Sequence, residues 1–382
     1  MLETDDIYTH LGIRPVINAT GHVTILGGSI LSPAVQAAMA AANRSFAAME
    51  DVHNRTGAAI AGMLGVENAV VTSGCYAALV QGAAGILAGT DPERIARLPD
   101  TTGMPNEFLI QAATRYRYDR SVTTPGGKLV EVGDSHGTTA AQLRAAIGPR
   151  TAGILFYAKG ESTPNTLKLA QVVEIAHAAG VQVLVDAAGE VYPLERMHGV
   201  AGSGADLICF GGKYMGAGNS TGILCGKNEA VLAARGNGFV NYETENNRSV
   251  GRGYKIDRQE VIGTTVALQE WLEMDHEQRL QSQAERIGFL ADGLADLPHI
   301  SARNVWDEEG GPWMRLRLQW DAARLGKSAA EVSQALREGS PVVWARAEGD
   351  VIPISVHTLN EEELPVLLRR LREELGSGKG EA

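Results

Sequence analysis

Short apolar segments alternate with helix-like segments between residues 69 and 226, and this alternation constrains the fold more than any other feature of the chain. Continuous apolar strands are typical of a parallel sheet that is buried on both faces, with helices covering those faces. The chain is therefore predicted to form an α/β fold, in which a three-layer αβα large domain holds a mostly parallel seven-stranded sheet. The predicted strands are 69–72, 108–112, 128–132, 153–158, 181–186, 205–210 and 221–226.

The pattern changes after Asp257, where a long helical stretch precedes short strands and helices in mixed order. This order predicts a second, smaller α+β domain. Residues 55–260 are assigned to the large domain, and residues 261–375 to a long linking helix and the small domain. Residues 1–54 are expected to pack beside the small domain, because a chain that enters the large domain late must place its first elements elsewhere. The final residues, 376–382, are predicted to form a flexible tail.

The charge and the cysteine content narrow the classes of partner and site. A formal net charge of −11 repels phosphate backbones, so nucleic acid is not expected as a partner. The three cysteines show no CxxC and no zinc-ligand spacing, which predicts a reduced, cytoplasmic protein without a metal site. No apolar run reaches the roughly 18–20 residues of a membrane span, and the polar N-terminus does not resemble a signal peptide.

Three predicted strands end in polar residues, at the edge of the sheet where ligands bind in open α/β folds. The first ends at residues 73–75, Ser-Gly-Cys, directly before a helix, and free amides at a helix start bind phosphate. Another ends in Asp186, a poorly solvated carboxylate that requires a cationic partner. Lys213 follows a third strand between glycine-rich flanks, where desolvation lowers the pKa of a lysine and favours Schiff-base chemistry.

Each of these signals has a simpler explanation when it is taken alone. Ser and Gly at a helix start form an ordinary cap, an aspartate after a strand can cap a loop, and most lysines are solvated. Together they match the needs of pyridoxal 5'-phosphate: a lysine for covalent attachment, a carboxylate that keeps the pyridine nitrogen protonated, and a helix start that holds the phosphate. The glycines around Lys213 would leave room for the ring.

Longer segments resemble a known group, the fold-type I pyridoxal-phosphate enzymes, and within it the family of D-glucosaminate-6-phosphate ammonia lyase and bacterial selenocysteine synthase. The segments are GIRPVINATGHVTILGGSILSP, GMLGVENAVVTSGCYAAL, VEIAHAAGVQVLVDAAGEVYP, GADLICFGGKYMGAGNSTGILCG and GRGYKIDRQEVIGTTVALQEWL, which are spread over most of the chain. The resemblance implies the fold-type I architecture, with Lys213 as the Schiff-base lysine and Asp186 as the pyridinium partner. It also implies a phosphate cradle formed by Ser73, Gly74 and Cys75.

The resemblance further implies contributions from neighbouring segments and from a second subunit. Ala188 would pack under the ring, and Ser220 and Thr221 would reach the phosphate of the neighbouring subunit in a homodimer or a larger homo-oligomer. Gly211 stands close to where relatives often carry a phosphate-binding serine, so the phosphate would rely more on backbone amides. The segment ATRYRYD lies where relatives cover the cofactor, and it leaves open which residue does so: Thr114, Arg115, Tyr116 or Tyr118.

The same resemblance implies residues on the substrate side, among them Asn18, Thr20 and Arg252. In the C-terminal strand ISVHTL, His357 stands where relatives often have an arginine that meets an anion. It either binds a polar group of the substrate or packs between the domains. Arg346 can supply a carboxylate clamp instead.

The predicted reaction is a β-elimination on a small amino acid or an amino sugar acid, of the ammonia-lyase or dehydratase type. Lys213 would remove the α-proton, since its free amine lies beside Cα once the substrate displaces it. His136 either acts as a general acid or base or is a loop histidine without a catalytic role.

Other reactions remain open, because the scaffold does not fix the chemistry. They are β-replacement, racemisation, aldol cleavage and transamination, and a non-catalytic pyridoxal-phosphate-binding protein is the alternative of a different class. A nicotinamide-binding Rossmann protein is disfavoured because no GxGxxG follows the first strand.

Overall fold

The computed structural model describes residues 7–307 and 313–376. Along this part of the chain the strands are β1 (Val16–Asn18), β2 (Asn68–Thr72), β3 (Glu107–Gln111), β4 (Lys128–Val132), β5 (Thr151–Tyr157), β6 (Gln182–Asp186), β7 (Leu207–Gly211), β8 (Gly222–Gly226), β9 (Ile300–Asp307), β10 (Trp313–Trp320), β11 (Val342–Trp344) and β12 (Val351–Ser355).

The α-helices of the described residues follow the same order. They are α1 (Ile7–His10), α2 (Pro33–Ala42), α3 (Met49–Leu64), α4 (Cys75–Ala88), α5 (Pro92–Arg97), α6 (Ala140–Ala146), α7 (Leu169–Ala178), α8 (Leu194–Ala201), α9 (Asn228–Gly236), α10 (Phe239–Thr244), α11 (Arg258–Glu273), α12 (His276–Asp292), α13 (Ala322–Leu325), α14 (Ala329–Glu338) and α15 (Glu363–Leu375). No helix among them is long and apolar enough to cross a membrane.

The chain divides into two compact units. The large unit is Ser29–Glu273, and the small unit combines the described residues up to Gly28 with those from Met274 onward. These boundaries differ from the predicted ones, after residues 54 and 260, because α2 and α3 pack along α11 within the large unit. Gly263 of α11 allows this approach, since a Cβ there would lie 2.8 Å from Cγ of Met39 on α2. The predicted tail, residues 376–382, lies outside the described residues except for Gly376.

The large unit is built on a seven-stranded sheet with the strand order β2-β8-β7-β6-β5-β3-β4. Strands β7, β6, β5, β3 and β4 pair in parallel, and β8 runs antiparallel to both of its neighbours. The predicted mostly parallel seven-stranded sheet is therefore confirmed. Because only β8 is reversed, the carboxyl ends of β2, β6 and β7 lie at the same edge of the sheet.

Both faces of this sheet are covered. Leu184 and Val185 are successive residues of β6 that point to opposite faces, and both are completely buried. On one face α4 lies close to the sheet and to α9, because two of its residues are glycines. A Cβ at Gly82 would lie 2.9 Å from Cδ1 of Leu184, and one at Gly85 would lie 2.7 Å from the backbone nitrogen of Ala234. This close packing fixes the direction of α4 and so the position of its first turn.

The small unit has its own core and mixed strands and helices, as predicted for an α+β domain. β10 pairs antiparallel with both β9 and β12, while β1 pairs in parallel with β11. Leu316, Ile354 and Leu367 are completely buried in one apolar cluster that joins this sheet to α15.

Candidate active site

The sheet brings the three predicted cofactor-binding groups to one edge. Asp186 is the last residue of β6, and Lys213 lies in the single 3₁₀ turn Gly212–Met215 that follows the neighbouring strand β7. Helix α4 begins at Cys75, three residues after the end of β2. Side chains that are far apart in sequence are thus placed where ligands bind in open α/β sheets.

The turn before α4 presents backbone amides. Gly74 has φ +93°, a conformation that side-chain-bearing residues rarely adopt. The first hydrogen bond of the helix runs from the amide of Ala78 to the carbonyl of Gly74, so the amides of residues 75–77 precede the helical ladder and can donate to a phosphate. Ser73 does not turn its hydroxyl towards these amides, because it donates to the carbonyl of Tyr254 at 3.0 Å.

Gly222 of β8 lets this turn sit against the sheet. A Cβ at Gly222 would lie 2.7 Å from the backbone nitrogen of Cys75 and 2.7 Å from the backbone carbon of Gly74. Both contacts are with backbone, which cannot swing away as a flexible side chain can. The position of the amides therefore depends on the absence of a side chain at residue 222.

We expect Gly222→Ala to displace the turn, to lower stability by about 1–3 kcal/mol as overpacking does, and to weaken cofactor binding about 10-fold or more. Thermal unfolding and titration of the apoprotein with pyridoxal phosphate measure the two effects. Gly62→Ala is the matched control, since Gly62 lies in α3 and a Cβ there would meet nothing within 4 Å. A Gly222→Ala variant that binds cofactor as the wild type does would refute the argument.

Asp186 is a buried carboxylate held by neutral donors. Its Oδ2 accepts the hydroxyl of Tyr116 at 2.6 Å, and its Oδ1 accepts the amide of Ala188 at 3.1 Å and the thiol of Cys209 at 3.7 Å. Burial raises the pKa of Asp186, and these three hydrogen bonds oppose that effect. Among the described residues no basic side chain forms an ion pair with it, so the site lacks the cation that a buried carboxylate requires.

Lys213 has the environment of a reactive amine. Burial lowers its pKa, while the nearby Cys75 thiol acts in the opposite direction. Its Nζ lies 5.2 Å from the centre of the Tyr214 ring. A lower pKa increases the fraction of free amine at neutral pH, which is the form that attacks an aldehyde.

The glycines before Lys213 have a packing reason as well. A Cβ at Gly212 would lie 2.1 Å from Oγ1 of Thr221, and one at Gly211 would lie 2.9 Å from the carbonyl oxygen of Ala188. Thr221 thus fills the space beside the glycine pair, and its buried hydroxyl donates to the carbonyl of Gly218 at 2.7 Å. Neighbouring Ser220 donates instead to Glu260 at 2.9 Å.

Besides Tyr116, two more tyrosines, Tyr157 and Tyr214, lie close enough to Asp186 for its charge to raise their pKa values. Sequence analysis identified only Tyr116 of the three. Tyr116 stacks on Tyr157, with ring centroids 4.0 Å apart and planes 4° apart. Burial first, and then the charge of Asp186, raises the pKa of Tyr157 to about 12. Burial also raises the pKa of Tyr214 to about 12, with the charges of Cys75, Tyr118 and Asp186 as further causes. The available signal was positional: Tyr157 ends a parallel strand next to β6, and Tyr214 follows Lys213 directly.

Other predicted residues of the large unit are engaged elsewhere. Thr114 is buried and donates its hydroxyl to the carbonyl of Gln111 at 3.1 Å. Arg252 forms an ion pair with Glu243 at 2.6 Å. Arg252 lies two residues before Tyr254, whose carbonyl accepts the hydroxyl of Ser73. The structure thus brings the Arg252 segment next to the phosphate turn.

His136 is not brought to the same place. It is exposed in the turn after β4, where its amide donates to Asp134 at 2.7 Å. β4 is the edge strand and lies four strands from β7. At about 4.8 Å per strand, that separation is roughly 19 Å of sheet.

The four remaining predicted substrate residues belong to the small unit and lie near one another there. Thr20 donates its hydroxyl to the carbonyl of Trp344 at 2.9 Å, and the carbonyl of Asn18 accepts from Thr358 at 2.8 Å. Arg346 is exposed two residues after β11, the partner of β1. Both ring nitrogens of His357 are buried, and its ring stacks on Trp313 with ring centroids 4.5 Å apart.

The burial of both ring nitrogens of His357 determines its charge. Burial lowers its pKa well below the usual range, and the positive charges of His22, Arg315 and Arg279 act in the same direction. His357 is therefore a neutral imidazole at neutral pH, so it cannot replace the charge of an arginine.

One ligand can satisfy all three groups at this edge. Asp186 lacks a cation, Lys213 has a partly desolvated amine, and the start of α4 offers amides to an anion. Pyridoxal 5'-phosphate carries a pyridine nitrogen, an aldehyde and a phosphate, so the residues present fit it. Fold and site together define the class of fold-type I pyridoxal-phosphate enzymes.

Comparisons with known proteins agree with this class. A family model described as Aminotransferase class-V matches residues 125–311. The 5'-C-glycyluridine monooxygenase-decarboxylase of a Streptomyces species is 33% identical over 346 residues, which cover 89% of this chain and 84% of that protein. D-glucosaminate-6-phosphate ammonia lyase of Salmonella typhimurium is 29% identical over 378 residues, covering 97% of this chain and 98% of that protein.

A solved structure of D-glucosaminate-6-phosphate ammonia-lyase superimposes with a TM-score of 0.84 at 28% identity, covering 98% of this chain and 100% of that one. The chain belongs to the family of pyridoxal-phosphate enzymes that contains these two relatives. The predicted family, its enzymatic character and its cofactor, pyridoxal 5'-phosphate, are thereby confirmed.

Proposed function

We propose that this protein is an ammonia-lyase-type enzyme that removes the α-proton of a small amino acid or an amino sugar acid and eliminates a β-substituent. The observation that carries the proposal is the placement of Asp186 and Lys213 at the carboxyl ends of the adjacent strands β6 and β7. The similarity to D-glucosaminate-6-phosphate ammonia lyase over nearly the whole of both chains supports the reaction type.

Each residue then has a defined task. Lys213 attaches the cofactor covalently, Asp186 holds the ring nitrogen in its protonated form, and the amides of residues 75–77 bind the phosphate. When bound, pyridoxal phosphate supplies an electron sink that stabilises negative charge at Cα. The desolvated amine of Lys213 accepts the α-proton once the substrate has taken its place, because its lowered pKa favours the unprotonated form.

A second candidate is an oxygen-dependent decarboxylation of an amino acid. It is favoured by one observation, the 33% identity to 5'-C-glycyluridine monooxygenase-decarboxylase. Both candidates use an attachment lysine and a pyridinium partner, so the residues above do not separate them. The products and the need for oxygen do separate them.

The decisive experiment incubates the holoenzyme with D-glucosaminate 6-phosphate, with the unphosphorylated sugar acid and with a panel of small amino acids. We expect ammonia and a keto acid in equal amounts, at the same rate with and without oxygen. Lys213→Ala is the negative control. Carbon dioxide release that requires oxygen would establish the second candidate, and binding without any product would leave a non-catalytic protein.

We also propose a homodimer with the site near the subunit interface. Ile30 is 77% exposed, and it follows Ser29, whose hydroxyl donates to the carbonyl of Lys213. Tyr76, in the first turn of α4, is 36% exposed. A second copy of the chain would remove these apolar side chains from water. A monomeric mass for the holoenzyme in solution would contradict this proposal.

We further propose a cytoplasmic location. Cys75, Cys209 and Cys225 are all free thiols, and free thiols persist in a reducing compartment. Cell fractionation with an antibody against the protein tests it.

A further inference from the structure

A chain of contacts leads from the segment after β3 to the carboxylate of Asp186. Asp119 accepts the backbone amide of Tyr116 at 3.2 Å, and it pairs with Arg115. Tyr116 in turn donates its hydroxyl to Oδ2 of Asp186 at 2.6 Å, across 70 residues of sequence. We propose that Asp119 and Tyr116 are positioning residues, which keep the shared proton on the cofactor's ring nitrogen by holding Asp186 in its ionised form. This inference rests on the proposed function of Asp186.

Tyr116 is built as a donor. Burial first, and then the charge of Asp186, raises the pKa of its hydroxyl, so the proton stays on Tyr116 at any working pH. Its ring stacks face to face on Tyr157, which restricts the direction in which the hydroxyl points. Such a side chain can donate to the carboxylate but cannot take part in its titration.

The other donors to Asp186 do not replace this one. The amide of Ala188 and the thiol of Cys209 both donate to Oδ1, and the thiol contact is long at 3.7 Å. Within the described chain Oδ2 therefore depends on Tyr116. Without this donor the carboxylate binds a proton more tightly, and the proton shared with the ring nitrogen moves towards Asp186.

Asp119 acts through the backbone of Tyr116. It is a buried carboxylate, and its Oδ2 receives both the amide of Tyr116 and the side chain of Arg115. These bonds fix the turn that precedes the 3₁₀ helix Asp119–Thr123. Removing the charge of Asp119 weakens the hold on that amide and lets the Tyr116 hydroxyl drift from Asp186.

The test uses holoenzyme prepared with pyridoxal phosphate that carries ¹⁵N at the ring nitrogen. We expect the wild type to show the chemical shift of a protonated nitrogen. Tyr116→Phe, which keeps the stacked ring, should move the shift towards the unprotonated value and weaken cofactor binding about 10-fold. Asp119→Asn should change the ¹⁵N shift and the cofactor affinity in the same directions as Tyr116→Phe, by smaller amounts.

Asp91→Asn is the matched control for Asp119→Asn. Asp91 also accepts backbone amides and pairs with an arginine, but it caps α5 and does not contact Asp186 or Tyr116. It should leave the ¹⁵N shift unchanged. A Tyr116→Phe holoenzyme with the wild-type ¹⁵N shift overturns the inference, whether or not its melting temperature falls, because a purely structural role would affect only stability.

The positioning role and the proposed lyase function can fail independently of each other. A wild-type holoenzyme with a protonated ring nitrogen but no elimination product would reject the lyase assignment and leave the positioning role intact. An active lyase whose ¹⁵N shift is unchanged by Tyr116→Phe would reject the positioning role and leave the lyase assignment intact.

Discussion

Replacing Lys213 with alanine is expected to abolish covalent attachment of the cofactor and to lower turnover by about 10³-fold or more, since both the attachment point and the proton acceptor are lost. The visible absorption band of the lysine-bound cofactor should disappear from the purified protein. The phosphate turn and Asp186 remain, so the variant should still bind the cofactor non-covalently. The predicted signature is therefore loss of the band with retained, weaker binding.

Lys128→Ala is the matched control for this prediction, because Lys128 is exposed on the edge strand β4. It should leave the band and the turnover unchanged. Borohydride reduction of the wild-type holoenzyme followed by peptide mass spectrometry should place the label on the peptide that contains Lys213. A label on another lysine, or a Lys213→Ala protein that keeps its band, would remove the basis of the proposed chemistry.

The sheet could be predicted from the sequence because its strands are continuous apolar runs. Strand 181–186 is an example: the structure begins it one residue later and ends it at the same Asp186. A strand buried on both faces is apolar over its central residues, and here the apolar run 183–185 ends at the polar Asp186. The residues at and just after the predicted strand ends therefore pointed to Asp186 and Lys213 from the sequence alone.

The partners of those residues could not be predicted in the same way. The hydrogen bond between Tyr116 and Asp186 joins residues 70 positions apart, and it depends on β5 lying between β3 and β6. Local sequence patterns do not show the order in which strands lie in the sheet. The role of Thr221 was also hidden, because its packing against Gly212 depends on the reversal of β8.

The domain boundary shows the same limit. The sequence placed the segment before residue 55 beside the small domain by an argument about chain entry. In the structure α2 and α3 pack along α11 instead, and Ser32 of the α2 cap donates to Glu270 of α11 at 2.6 Å. The residues that make this pairing possible, such as Gly263 of α11 and Met39 of α2, are more than 200 positions apart in the sequence.

Asp186→Asn is expected to separate stability from chemistry. The pKa of Asp186 is raised in the folded protein, so at a pH above the ordinary range of an aspartate its ionised form costs stability. Asparagine has the same shape without the charge, and the apoprotein should melt at the same or a higher temperature at neutral pH. Without the carboxylate the ring nitrogen loses its proton, and turnover should fall on the order of 10²–10³-fold while Lys213 still attaches the cofactor.

Asp206→Asn should give the opposite result, which makes it the matched control. Asp206 is also buried, but it precedes β7 at the other end of the strand, where it pairs with His177 at 2.9 Å and Lys227 at 3.0 Å and accepts the amide of Val183 at 2.8 Å. Removing its charge weakens these bonds, so stability should fall while the cofactor spectrum stays that of the wild type. Thermal unfolding of the apoproteins and absorption spectra of the holoenzymes compare the two variants directly. If Asp186→Asn instead loses stability and keeps its turnover, Asp186 is a structural carboxylate and the cation it requires is not the ring nitrogen.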